Sequence, residues 1–83
     1  MGKYKIEFSK PAVKDYMKLP KDYKVLVDLA LLKLSEGLPV DIKPLRGEKD
    51  IYRLRVGRYR ILFLIIEDTL VITKIGPRGD VYK

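Results

Sequence analysis

The second half of the chain alternates apolar and polar positions, whereas the first half shows apolar residues at helical spacing. The alternation predicts three strands, at about 51–56, 59–66 and 69–75. Two-residue connections at Gly57-Arg58 and Glu67-Asp68 separate them, and glycine in the first position is typical of a type II′ turn. These turns predict the cross-strand pairs Val56–Tyr59, Arg55–Arg60, Leu54–Ile61, Arg53–Leu62, Leu62–Thr73 and Phe63–Ile72.

The first half predicts one strand followed by two helices. The strand covers Lys3–Phe8, and Ser9 signals the start of a helix over 10–18. Proline disfavours helix at the residue before it, so Leu19-Pro20 should separate this helix from a second one that runs to about Glu36. Two helices joined in this way are typical of an αα-hairpin.

The second helix and the segment after it have their own signals. Its apolar stripe consists of Val25, Leu26, Leu29, Leu32 and Leu34, widened by Val27 and Leu31. Gly37 fits the helix C-cap. Residues 38–50 contain Pro39, Pro44 and Gly47, and we expect a loop there.

The period of two divides the strands into two faces. An apolar face, which we call the core face, should receive the helices and holds Tyr52, Leu54, Val56, Tyr59, Ile61, Phe63, Leu70 and Ile72. The opposite face, which we call the open face, holds Arg53, Arg55, Arg60, Leu62, Leu64, Thr73 and Ile75. Two helices cover only one face of a sheet, so the open face is either a binding surface or is covered in part by the 38–50 loop. The pattern predicts an α+β fold in a single domain over 1–83.

Charge makes an anionic partner the favoured interpretation of the open face. The net charge is +7, and the basic residues before position 46 are all lysines, whereas six of the nine from position 46 onward are arginines. Arginine binds phosphate with a planar, bidentate fork. Opposed arginines repel each other on a sheet, and a phosphate between them reverses the sign of that interaction. The alternative is that each arginine pairs with a nearby carboxylate, such as Glu48, Asp50 or Asp80.

Composition excludes several kinds of chemistry. The chain contains no cysteine and no histidine, which removes disulfides, thiolate metal sites and the commonest general base near neutral pH. We therefore expect no metal and no cofactor. The N-terminal residues show no signal peptide, and no apolar run reaches 18 residues, so a cytoplasmic location is expected.

RNA cleavage remains possible without histidine, because RNA carries its own nucleophile, the ribose 2′-hydroxyl. Preorganised arginines stabilise the charge that develops on the phosphorus oxygens, but their pKa of about 12 or more makes them poor acids. A tyrosine beside guanidinium groups has a lowered pKa and becomes a better base. Tyr82, four residues after Arg78, is the candidate base.

These residues resemble those of the RelE/ParE superfamily of toxins from prokaryotic toxin–antitoxin pairs, and the RelE branch in particular. The similarity starts with the β-α-α opening and its Leu-Pro. It continues through LRG at 45–47, YRLRVGRYRILF at 52–63 and IGPRGDVYK at 75–83. The resemblance implies two N-terminal helices packed on one face of a small, curved, mainly antiparallel sheet, in the order β-α-α-β-β-β. It also implies a metal-independent, ribosome-dependent endoribonuclease that cuts mRNA and inhibits translation, and a cognate antitoxin that blocks it.

The resemblance assigns roles to individual residues. Arg60 and Arg78 would hold the scissile phosphate, Tyr82 would activate the 2′-hydroxyl, and Arg53 and Arg55 would stabilise the transition state. Further RNA or phosphate contacts are expected from basic residues outside this catalytic set, namely Lys43, Arg46, Arg58 in the turn, Lys74 and Lys83. Antitoxin contacts are expected from the outer helix surfaces and from an apolar strip on the open face, namely Leu62, Leu64 and Ile75.

Two departures from the family keep other functions open. Arginine stands at positions 53 and 55, where the best-studied members often have lysine, and the sequence ends one residue after Tyr82. One alternative is a non-nuclease toxin of the ParE type, which acts on DNA gyrase. Another is an inactive toxin relative that chiefly binds its antitoxin or RNA. The open face offers few aromatic side chains for stacking, which counts against a stand-alone binder of single-stranded RNA.

Overall fold

Two helices and five strands make up the part of the chain that a computed structural model describes, residues 3–45 and 50–77. The elements are β1 (Lys5–Phe8), α1 (Lys10–Met17), α2 (Lys21–Ser35), β2 (Ile42–Pro44), β3 (Ile51–Val56), β4 (Tyr59–Ile66) and β5 (Thr69–Pro77). The strands form one sheet in the order β1-β5-β4-β3-β2. β1 runs parallel to β5, and the other neighbours are antiparallel. The sheet is therefore mixed and open.

Local capping signals set the helix ends where the sequence predicted them. The Ser9 hydroxyl accepts a hydrogen bond from the Ala12 amide at 3.2 Å, which satisfies one free donor of the first turn of α1. At the end of α2, Gly37 adopts a φ of 75°. The Leu38 amide donates to the Lys33 carbonyl and the Gly37 amide to the Leu34 carbonyl, which is the Schellman motif.

The helices cover the core face, as predicted, but α2 turns a different side towards the sheet. Val27, Leu31 and Leu34 are buried, whereas Val25, Leu26, Leu29 and Leu32 are 46–63% exposed. The predicted stripe is therefore wrong in most of its members. The reason is that α2 is apolar on two opposite sides, so periodicity alone does not identify the buried one.

A short strand, β2, was missed inside the predicted 38–50 loop. It pairs antiparallel with β3 at the edge of the sheet, and all three of its residues are exposed. Alternation of burial is absent, so the strand leaves no period-two signal. Its last residue, Pro44, lacks the amide donor that a further strand would need, which suits an edge position. Residues 46–49 of the predicted loop lie outside the described part of the chain.

The β3–β4 hairpin has the predicted register throughout. Val56 pairs with Tyr59 and Arg55 with Arg60. Gly57 has a φ of 58°, and Arg58 is not among the residues with positive φ, as a type II′ turn requires. The second turn is also confirmed, because Ile66 pairs with Thr69 across Glu67-Asp68.

A β-bulge in β5 makes the second hairpin depart from the predicted register. Phe63 pairs with Ile72 as expected, but Leu62 pairs with Lys74, so Thr73 is an extra residue. Because side chains alternate, the one-residue shift exchanges the two faces beyond this point. Ile75 now pairs with Ile61 on the core face and is 4% exposed. Its predicted place on the open face is wrong, and Lys74 lies there instead.

Candidate functional site

Five basic residues from four strands share the open face, and we call them the basic cluster. One row across the sheet consists of Lys43, Arg53, Leu62 and Lys74, each paired with the next. The adjacent row, nearer the hairpin turn, consists of Arg55, Arg60 and Gly76. Neighbouring strands lie about 4.8 Å apart, so adjacent members of a row are within contact range. Three strand spacings, roughly 14 Å, separate the backbone at the two ends of the first row.

Arg55 and Arg60 form the most crowded pair of the basic cluster. In a hairpin with a two-residue turn, the pair that closes the turn, here Val56 and Tyr59, exchanges backbone hydrogen bonds. The next pair along the strands, Arg55 and Arg60, is therefore a non-hydrogen-bonded pair. Side chains of such a pair are close, with Cβ atoms about 4.5–5.5 Å apart. Two arginine side chains therefore leave the sheet next to each other, and the repulsion between like charges costs free energy unless an anion joins them.

Arg60 is almost withdrawn from solvent, being 5% exposed. Its Nη1 donates to the Tyr59 carbonyl at 3.3 Å and to the Gly57 carbonyl at 3.5 Å, which are long hydrogen bonds. Within residues 3–45 and 50–77 no carboxylate lies within ion-pair distance of it. A cation held out of water is stabilised by an anion, so this arrangement favours phosphate at Arg60.

Arg53 has a carboxylate partner, although not one of those proposed from the sequence. Its Nη2 lies 3.6 Å from Oδ1 of Asp41, and the Arg53 side chain is 12% exposed. The Asp41 carbonyl also accepts a hydrogen bond from the Arg55 amide at 2.9 Å. Asp41 thus holds the chain ahead of β2 against β3. Sequence reasoning missed it because the segment was expected to be a loop.

The other residues predicted for the site fall into three groups. Arg58 is exposed in the hairpin turn, beyond the end of the basic cluster. Leu62 is on the open face but only 8% exposed, between Arg53 and Lys74 in the first row, and Leu64 is half-buried there. Four predicted residues lie outside the described part of the chain: Arg46, Arg78, Tyr82 and Lys83.

Helix α2 carries a large exposed apolar surface. Val25, Leu29 and Leu32 follow one side of α2, opposite its buried side, and we call them the outer stripe. Beside it, an apolar groove of about 490 Å³ is bounded by residues of β1, α1 and α2, namely Ile6, Phe8, Val13, Tyr16, Asp28, Leu31, Leu32 and Ser35.

A polar contact joins the two helices at this groove. The Tyr16 hydroxyl donates to Oδ1 of Asp28 at 2.7 Å, and the Lys24 ammonium lies 5.8 Å from the centre of the Tyr16 ring. The hydrogen bond to Asp28, followed by burial, raises the pKa of the Tyr16 phenol above 10.0. Tyr16 and Asp28 therefore help fix the angle between the helices that bound the groove.

Residues 3–45 and 50–77 contain neither an acidic metal site nor a membrane span. No three acidic residues come together there as ligands for a metal ion. Neither helix of this part of the chain has the length and apolar character needed to cross a membrane.

Comparison with known proteins covers nearly the whole chain. Residues 6–82 match the family described as the ParE toxin of the type II toxin–antitoxin system parDE. Toxin RelE3 of Methanocaldococcus jannaschii is 30% identical over 94% of each chain. The mRNA interferase RelE of Shigella flexneri is 27% identical, over 95% of this chain and 90% of that protein.

A solved structure agrees with the sequence matches. The toxin–antitoxin complex RelBE2 of Mycobacterium tuberculosis contains a chain that superposes with a TM-score of 0.77 and 36% identity, over 92% of this chain and 99% of that one. The similarity includes both helices and the mixed sheet, because it extends over almost all of both chains.

Proposed function

Because this chain belongs to the RelE-like toxins of type II toxin–antitoxin systems, we propose that it is a ribosome-dependent endoribonuclease that cuts mRNA in the cytoplasm and so inhibits translation. The observation that carries the proposal is the basic cluster, in which Arg55 opposes Arg60 and Arg60 is 5% exposed. Such a pair is unfavourable in the free protein and favourable around a phosphate. The name of the similar Shigella flexneri protein, mRNA interferase RelE, supports the same activity.

The proposed reaction uses the ribose 2′-hydroxyl as nucleophile and needs no metal. Its oxygen attacks the neighbouring phosphorus while its proton passes to a base. The bond from phosphorus to the 5′-oxygen breaks, and that oxygen takes up a proton from water. The products are a 2′,3′-cyclic phosphate and a 5′-hydroxyl. Negative charge grows on the two non-bridging oxygens, where fixed guanidinium groups stabilise it.

Each member of the site has a proposed part in this reaction. Arg60, with Arg78 from the segment after β5, would hold the phosphate, and Arg53 and Arg55 would stabilise the charge of the transition state. Tyr82 would accept the proton of the 2′-hydroxyl. Lys43 and Lys74, at the two ends of the first row, would hold the flanking phosphates of the RNA. Arg53 must exchange its partner Asp41 for RNA, which makes binding sensitive to salt.

We further propose that a cognate antitoxin binds the outer stripe and the adjoining groove. Val25, Leu29 and Leu32 are 63, 47 and 53% exposed, which makes them better contacts than Leu62 on the open face. Six lysines lie on or beside the two helices that carry this surface: Lys10, Lys14, Lys18, Lys21, Lys24 and Lys33. An amphipathic segment with acidic flanks would complement both its apolar and its charged parts. The similar M. tuberculosis chain was solved as a toxin–antitoxin complex.

Mapping of cut sites on ribosome-bound mRNA tests the nuclease proposal. Wild-type protein should produce new 5′ ends in the decoding region, whereas Arg60→Gln and Tyr82→Phe should produce few or none. Lys18→Gln, which removes the same charge from the exposed helix side, should cut like the wild type. Unchanged cutting by both site variants would contradict the assignment.

The family description favours one competing function, because the matching family is that of ParE. A toxin acting on DNA gyrase would cause DNA breaks and block replication without shortening any mRNA. Expression in cells followed by separate measurement of mRNA cleavage and DNA breakage distinguishes the two. DNA breakage with intact mRNA would contradict the nuclease proposal and support action on DNA gyrase instead.

A further inference from the structure

The last part of β5 has no strand beside it on the side of β1. β5 has nine residues, but the four residues of β1 pair only with Thr69–Ile72. Within the described residues, the backbone from Thr73 onward therefore presents an edge with unpaired amide and carbonyl groups on this side. Such edges are normally covered, because unpaired backbone groups are costly when partly buried.

Helix α1 takes the place of the missing strand. The Ser9 amide donates to the Ile72 carbonyl at 2.9 Å, and the Ser9 hydroxyl donates to the Thr73 carbonyl at 3.3 Å. Asp15, near the other end of α1, accepts a hydrogen bond from the Ile75 amide through Oδ2 at 3.0 Å. Two polar side chains, one at the N-cap of the helix and one in its last turn, thus hold the edge of β5 at two points.

The two points, at Thr73 in the bulge and at Ile75 after it, lie on either side of Lys74. Thr73 is the extra residue, and its hydroxyl donates to the Leu62 carbonyl at 3.2 Å across the sheet. The bulge turns Lys74 towards the basic cluster and Ile75 into the core. Apolar burial favours this shifted register, since the alternative would turn Lys74 inward against Ile61. Burial alone does not fix the exact position of the backbone at Lys74. The hydrogen bonds of α1 to its neighbours Thr73 and Ile75 do so.

We infer that Ser9 and Asp15 are positioning residues of the nuclease site: they hold the bulged part of β5 so that Lys74 and Gly76 complete the two rows of the basic cluster. This inference rests on the proposed function for its effect on cleavage. Ser9 and Asp15 are on the helix side and touch no RNA, so they act only through the backbone of β5. A displacement of about 1 Å in a site costs on the order of 100-fold in rate.

Four variants test the inference. Asp15→Ala removes the acceptor of the Ile75 amide, and Asp15→Asn keeps an acceptor oxygen without the charge. Ser9→Ala removes the contact with Thr73 together with the N-cap hydrogen bond from the Ala12 amide. Val27→Ala is the matched control, because it removes packing at a fully buried site of α2 that makes no side-chain hydrogen bond to β5. Rates are expressed per folded molecule, with the folded fraction taken from thermal unfolding.

Cleavage of ribosome-bound mRNA should fall about 10-fold to 100-fold in kcat for Asp15→Ala. KM should change little, because most of the cationic surface remains. Asp15→Asn should recover most of the lost rate, and Ser9→Ala should resemble Asp15→Ala. Val27→Ala should be less stable yet cut at the wild-type rate per folded molecule. Equal rates for Asp15→Ala and Val27→Ala would overturn the inference.

A second measurement does not depend on cleavage. Amide exchange at Ile75 and the nuclear Overhauser contact between Leu62 and Lys74 report the position of β5 directly. In Asp15→Ala the exchange should become faster and the contact weaker, and Asp15→Asn should keep both close to wild type. If the wild type cuts no mRNA, the proposed function fails, and this measurement alone decides whether Ser9 and Asp15 position β5. An unchanged Leu62–Lys74 contact in Asp15→Ala would overturn the inference whether or not the protein cuts mRNA.

Discussion

Replacing Arg55 by glutamine should make the protein more stable and less active. Arg55 is exposed and directly opposite the buried Arg60. Two unit charges about 7 Å apart repel each other by ~0.6 kcal/mol in water and by more at a lower effective dielectric constant. Since one member of the pair is buried, we expect Arg55→Gln to raise the free energy of unfolding by about 0.5–1 kcal/mol at low salt.

Salt dependence is the signature that separates this repulsion from other effects of the substitution. The Debye length falls from about 30 Å at 10 mM salt to about 3 Å at 1 M. The increase in the free energy of unfolding should therefore nearly vanish at 1 M salt. At 10 mM salt the same increase corresponds to a rise in Tm of roughly 2–8 °C. Arg58→Gln, in the turn and without an opposed arginine, is the control for the loss of one charge and should shift Tm by much less.

The activity of Arg55→Gln completes the prediction. Cleavage of ribosome-bound mRNA should fall by at least 10-fold, because a fixed charge that stabilises the transition state is worth about 10²–10³ in rate when removed. Lower stability of Arg55→Gln than of the wild type at low salt would contradict the predicted repulsion. A stabilisation that persisted unchanged at 1 M salt would contradict it as well.

Three further predictions concern the fold. Gly57→Ala should cost about 1–2 kcal/mol in urea unfolding, because φ is 58° and the added Cβ would lie 3.1 Å from the Tyr23 hydroxyl; a neutral result would contradict the assigned turn. Phe63→Ala, at a fully buried residue stacked on Tyr52, should cost about 3–5 kcal/mol, and a loss below ~1 kcal/mol would place Phe63 outside the core. The raised pKa of Tyr16 stabilises the fold below about pH 10, and this contribution is lost as the pH rises through the folded-state pKa. Tyr16→Phe should therefore lose less stability than the wild type as the pH rises above about 10, and an identical alkaline loss would exclude the contact with Asp28 as its cause.

Elements with local signals were predictable from the sequence. Ser9 and Gly37 mark helix ends because each satisfies backbone groups within a few positions of itself. Gly57 sets a hairpin because its positive φ fits a turn whose twist matches the strands. The register of Arg53, Arg55 and Arg60 follows from that turn alone, so the amino-acid pattern is enough to place the three arginines on one face.

Features that depend on distant parts of the chain were not predictable in this way. The bulge at Thr73 is stabilised by Ser9, which is 64 positions away. Strand β2 exists because β3 offers it an edge, and its own three residues carry no alternation. The buried side of α2 is chosen by contact with the sheet, since both of its apolar sides have helical spacing. The same limit explains why Ile75 was placed on the wrong face and Asp41 was overlooked.

The parallel pairing of β1 with β5 makes the basic cluster a late product of translation. Among the described strands β5 is the last in sequence, yet it lies second in the sheet, between β1 and β4. The backbone hydrogen bonds within each helix and within the β3–β4 hairpin are local, so these elements can form while synthesis continues. Lys5–Phe8 must instead wait for Thr69–Ile72, and the rows of the open face stay incomplete until Lys74 and Gly76 join. A growing chain therefore cannot complete the basic cluster until β5, the last of the described strands, has been synthesised.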